Sequence, residues 1–122
     1  MKKNILLLLV VSGLFLSCKI SAFVQFDYDK ALLLSNKLKN YETPTENEKD
    51  LSNTDLSGAD LSGAILSYAN LTGAILMKVV NGQTLETSLS DAQLLSTDFQ
   101  GAVMSEFQKF YARSNRAINV PN

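Results

Sequence analysis

Apolar and polar residues repeat along the middle of this chain with a period of five. From Leu51 the sequence reads LSNTD LSGAD LSGAI LSYAN LTGAI LMKVV, which spaces Leu51, Leu56, Leu61, Leu66, Leu71 and Leu76 evenly. Ala59, Ala64, Ala69 and Ala74 each precede a leucine by two positions. Neither regular element accommodates this period. On an α-helix each step of five turns the side chain by about 140°, so no apolar stripe forms. In a straight strand an odd period throws alternate leucines onto opposite faces. A chain that turns a corner every five residues points every leucine at one axis, with the alanine in the narrower space beside it. Ser57, Gly58, Ser62, Gly63, Thr72 and Gly73 fall at the corners, where small residues suit tight turns.

The register breaks after Leu76 and resumes with Leu89, Leu94, Phe99 and Met104, preceded at the small inner position by Thr87, Ala92, Thr97 and Ala102. The 13 residues from 76 to 89 equal two sides plus three, or three sides less two. The turn dipeptide Asn81-Gly82 favours a bulged corner, with a protruding recognition loop as the alternative.

The flanks carry helical spacing. Asp27 or Asp29 is placed to N-cap a helix running to about Asn40, with Ala31, Leu34, Leu38 and Tyr41 on one face and Lys30, Lys37 and Lys39 on the other. The polar stretch 42–49, with Pro44, reads as a linker. At the other end Ser105 and Gln108 have capping-box spacing before a short helix whose Phe107, Phe110, Tyr111 and Ser114 share a side. The expected role of both helices is to close the open ends of the stack; aromatics held out for a partner or for end-to-end dimerisation are the alternative.

The units Ala59-Asp60-Leu61-Ser62-Gly63, Ala64-Ile65-Leu66-Ser67-Tyr68 and Ala69-Asn70-Leu71-Thr72-Gly73 resemble the A(D/N)LXX repeats of pentapeptide repeat proteins. The resemblance implies an all-β solenoid, a right-handed quadrilateral β-helix with four five-residue sides per coil and the Leu and Ala inside. Residues 49–104 then make about three coils, with a core of Leu51, Leu56, Leu61, Leu66, Leu71, Leu76, Leu89, Leu94, Phe99 and Met104. Residues 23–48 form an N-terminal helical cap and linker, and 105–122 a C-terminal helical cap.

Lys2 and Lys3 before the uncharged run Ile5 to Leu16 match the n- and h-regions of a secretory signal, and the run is too short for the ~20 residues of a membrane-spanning helix. Residues 1–22 are therefore read as a signal peptide. Ile20-Ser21-Ala22 offers a cleavage site that releases a soluble chain from Phe23. Phe15-Leu16-Ser17-Cys18 resembles a lipoprotein box, in which Cys18 is lipidated and anchors the protein to a membrane. Both readings place the mature chain outside the cytoplasm, periplasmic or secreted.

Composition narrows the function. The 122 residues contain no His or Trp and a single Cys, which removes His-based acid/base catalysis, Cys/His nucleophiles and the usual zinc sites. Eleven basic residues against 12 acidic ones give no field to gather nucleic acid. The outward carboxylates Asp50, Asp55, Asp60 and Asp98, set among Ser, Thr and Asn, read as a solvated wall and not as a catalytic pair or a metal site. No catalytic residue, metal or cofactor is expected. Some members of the family resemble duplex DNA and bind DNA gyrase; export, a short tract, and Ile65, Ile75 and Val103 at outward positions disfavour that role here. The expected function is a secreted or envelope interaction module with a protein partner or a second copy. Ile65, Tyr68, Ile75 and Met77, outward or at corners where polar residues would serve equally well, are the candidate interface.

Overall fold

A computed structural model describes residues 22–122, with side chains from residue 26 onward; the signal reading of 1–22 and Cys18 therefore lie essentially outside the described residues. Its regular elements are three helices, α1 (Ala22–Lys39), α2 (Glu46–Lys49) and α3 (Glu106–Ser114), and one antiparallel pair of strands, β1 (Met77–Val80) and β2 (Gln83–Glu86). Between them the chain is organised by seven isolated parallel bridges: Asp50 to Asn70, Asp55 to Ile75, Asp60 to Ser88, Ile65 to Gln93, Asn70 to Asp98, Ile75 to Val103, and Asp98 to Ile118. Bridged residues lie 20 apart, or 28 apart where the segment 77–86 intervenes. One circuit thus takes four five-residue sides, and we denote the faces by their first residues: A (Asp50), B (Asp55), C (Asp60) and D (Ile65).

Corner chemistry explains the period. After every inner leucine but Leu76, which opens the hairpin, the second residue has a positive φ, and at most of these corners the following alanine or threonine returns its N–H to the leucine carbonyl at 3.0 Å, as from Ala59 to Leu56, Ala64 to Leu61, and Thr97 to Leu94. A positive φ at the third residue of a four-residue turn is what a type II turn requires. Gly58, Gly63, Gly73 and Gly101 supply it without steric cost. Asp50, Asp55, Asp60, Asn70 and Asp98 each accept the N–H two residues ahead through a side-chain oxygen, which stiffens the entry to the next corner. The ten core residues named above are all buried, Leu51 through Leu76 completely so. Threonines at the inner small position are buried with satisfied hydroxyls: Thr87 Oγ1 donates to Leu56 O and Thr97 Oγ1 to Leu66 O.

The break in register is a hairpin and not a bulged corner. Ten residues, 77–86, replace the two that elsewhere separate an inner leucine from the next small residue, and Thr87 N–H still closes onto Leu76 O at 2.8 Å. Eight residues are therefore inserted at one corner. Asn81 and Gly82, both at positive φ, form the two-residue tip that right-twisted hairpins require. The hairpin folds back on the first circuit, with Lys78 paired to Asp55 and Leu85 packed over Gly58.

Helices α1 and α3 act at the ends. Helix α1 begins at Ala22, so Asp27 and Asp29 lie inside it and not at its cap. It completes the exposed edge of the first circuit with side chains. Lys30 donates to Asp50 O, Asp55 N–H to Asp27 Oδ2 (2.7 Å), Tyr28 Oη to Asp60 O (3.0 Å), and Ile65 N–H to Ser35 Oγ (2.9 Å). One contact per face is thus supplied by a helix where a strand would otherwise lie. Ala31 and Leu34 are buried against the core, whereas Tyr41 is 97% exposed. It follows the last helical turn at a positive φ, which swings its side chain off the helical face.

Helix α3 occupies the third circuit in place of faces C and D. The count of five continues through it, because Ile118, 20 residues after Asp98, returns to face A and bridges. The stack therefore extends beyond residue 104, and the helix fills only part of 105–122.

Candidate interaction surface

The four outward residues expected to form an interface do not come together. Ile65 is half-buried on face D, its amide held by Ser35 of α1. Ile75 is half-buried on face B, two sides away, between Asp55 and Val103. Met77 is half-buried at the base of the hairpin. Tyr68 alone stands out, 61% exposed, at a corner with φ 64°. A bulky side chain in the left-handed region costs of order 1–3 kcal/mol, so this corner is strained where four others carry glycine.

As exposed as Phe26 on α1, at 70%, are Phe107 and Phe110 on α3, at 71% and 70%. The reading of these aromatics as an inward lid is corrected by the geometry of the helix. Its buried face is Gln108 and Ala112, one turn apart, with Tyr111 partly buried beside them. Gln108 is drawn inward because the second circuit presents carbonyls that its amide can satisfy: Nε2 donates to Leu76 O (3.1 Å) and Thr87 O (2.9 Å), while Oε1 accepts Ser105 N–H (2.9 Å). Tyr111 Oη likewise donates to Ala92 O. With these residues inward, Phe107 and Phe110 turn to solvent. The Gln108-Ala112 spacing was the available signal; hydrophobicity alone favoured the wrong face.

Beside α3 lies an open cleft of about 270 Å³, walled by Phe107 and Tyr111 on the helix and by Glu86, Ser88, Leu89 and Ser90 on the second circuit. Val103, at the top of face B, is also exposed.

The carboxylates are held in structural contacts. Hydrogen bonds from the Ser52 side chain and amide keep the Asp50 carboxyl below its usual range. Burial pushes Asp55 up, but the Lys78 ammonium and hydrogen bonds from Ser57 outweigh it and the net shift is downward. Among the described residues no three His, Cys, Asp or Glu side chains cluster as a metal site would need. No described helix is long and apolar enough to cross a membrane.

Residues 50–80 match the family model described as Pentapeptide repeats (8 copies). The chain carries pentapeptide repeats. No curated protein and no solved structure matches it. The match ends inside the hairpin, while the pentapeptide spacing of buried residues continues beyond it from Leu89 to Met104.

Proposed function

We propose that this pentapeptide-repeat protein is a non-catalytic interaction module that works outside the cytoplasm. In this reading the tract is a right-handed quadrilateral β-helix, a rigid scaffold that presents the α3 surface to a protein partner. The parallel bridges at 20-residue spacing support the scaffold. The observation that carries the interaction is the outward placement of Phe107 and Phe110 on a helix whose opposite face is fixed by Gln108 and Tyr111. Two large aromatics kept in water by a rigid support mark a surface that is covered in use. The roles of Asp50, Asp55, Asp60 and Asp98 as corner acceptors support reading them as structural.

A photo-crosslinking amino acid placed at 107 or 110 of the full chain in its native host tests the reading. The same discrete adduct from both positions, in an extracytoplasmic fraction, is expected. Failure of both positions to crosslink, or intact chain confined to the cytosol, would contradict it.

A further inference from the structure

Substituting a helix for two sides of the third circuit leaves part of the second circuit's edge without a neighbour. One layer lower, Leu61 N–H donates to Ser88 O at 3.0 Å and Gly63 N–H to Ser90 O at 2.7 Å, which fastens the face C strand above. The equivalent donors of the upper layer are the Leu89 and Asp91 amides. Among the described residues neither has an acceptor. Of the acceptors on this edge, Thr87 O is taken by Gln108. The two unmet donors therefore lie two residues apart on one edge, Leu89 lining the open cleft and Asp91 at the exposed corner just beyond it. A parallel strand needs only the carbonyls of residues j and j+2 to meet such a pair.

The surroundings limit what that strand can be. Phe107 and Tyr111 face the edge across the cleft and favour an apolar side chain on the incoming segment. Carboxylates stand at both ends, Glu86 at the foot of the hairpin, where one oxygen accepts from Ser105 Oγ, and exposed Asp91 at the next corner. Face C carries no basic side chain in either of its layers, 59–63 and 87–91, to neutralise them.

On these grounds we infer that the Thr87–Asp91 edge is a strand-docking site for an extended partner segment in which an aliphatic residue is flanked by Lys or Arg. The inference rests on the interaction reading above and names the chemistry of the partner. The segment's carbonyls replace those of a missing third layer, its aliphatic side chain covers Phe107, and its cations meet Glu86 and Asp91. Main-chain pairing supplies affinity, and the aromatic wall and acidic rim supply selectivity.

Amide exchange and chemical shifts of the full chain, uniformly labelled with nitrogen-15, test the site. The probe is the peptide acetyl-Gly-Lys-Val-Leu-Lys-Gly-amide, with a control carrying Glu in place of both Lys. Without peptide, the Leu89 and Asp91 amides should exchange at least about 100-fold faster than those of Leu61 and Gly63. The basic peptide should protect both amides and shift Phe107. The control should bind at least about tenfold more weakly, and Phe107→Ser should weaken the basic peptide about tenfold without changing the melting temperature. Leu89 and Asp91 amides already protected in the unliganded chain, or unmoved by the basic peptide, would overturn the site. Protection that rises with protein concentration alone would assign the edge to a second copy and overturn it equally. Crosslinks from 107 and 110 alongside an unresponsive edge would leave the interaction module standing without strand docking. A responsive edge without crosslinks would do the reverse.

Discussion

The Gln108 amide donates to the carbonyl of Thr87, 21 residues earlier, and so joins the C-terminal helix to the first residue beyond the hairpin. The same nitrogen reaches Leu76 O, the residue just before the hairpin. One buried side chain thus closes the corner from which the hairpin grows and fixes the orientation of α3.

Replacing Gln108 with Leu removes both donations and leaves Thr87 O buried without its partner. The cost expected for a stranded buried acceptor is about 1–3 kcal/mol. Equilibrium denaturation should show that loss, with Gln108→Glu also destabilised because a carboxylate cannot donate to either carbonyl. Wild-type stability in both variants would mean that the helix is held by other contacts.

Gly73 is required chiefly by its backbone. Its φ is 69°, and a Cβ there would meet Asn53 Oδ1 at 2.5 Å, since the asparagine of the circuit below fills the space beneath it. Gly73→Ala should therefore lower stability by about 1–3 kcal/mol. Asn53→Gly should recover only the small part that comes from displacing the asparagine side chain and leave the backbone part, a coupling that a double-mutant cycle reads directly. Additive effects would show that the two corners do not touch.

The Asp55-Lys78 pair predicts an acid-side dependence. Because the folded carboxyl lies below its ordinary value of 3.8, its contribution is present above that value and is lost as pH falls through the lower folded one. Lys78→Met should shrink that loss when stability is compared between pH 6 and pH 2.5, and should loosen the hairpin where it folds over Gly58. Identical pH profiles for the two proteins would remove the pair from the account.

Leu71 lies wholly inside the stack. Leu71→Ala leaves a cavity that rigid neighbouring circuits fill poorly, with an expected cost of about 2–5 kcal/mol in denaturant titrations. A loss below 1 kcal/mol would indicate that the leucines are not packed on a common axis.

The sequence made the corner period visible because each corner is a local event: leucine, small residue, a residue tolerant of positive φ, then alanine. Asp55 and Asp60 were legible as outward residues for the same reason, although their role as turn acceptors was not. The interval from Leu76 to Leu89 was ambiguous, because 13 residues divide into fives in more than one way and only pairing shows that a hairpin replaces a two-residue corner. The ends were hardest to read. Helix α1 is placed by Asp27, Tyr28, Lys30 and Ser35 answering backbone groups some 20 to 32 residues away, and α3 by Gln108 doing so across 21 and 32. Polar residues inward and phenylalanines outward reverse the usual pattern. That inversion follows from an unfinished backbone edge, which sequence periodicity does not display.

The most direct test of the central claim is the measurement of scalar couplings across backbone hydrogen bonds in labelled protein. The account predicts couplings from the amide nitrogen of Leu51 to the carbonyl carbon of Asn70, Leu61 to Ser88, Leu66 to Gln93, and Leu71 to Asp98, stepping from one circuit to the next and lengthening only across the hairpin. Couplings confined to residues three or four apart, with none between circuits, would contradict it.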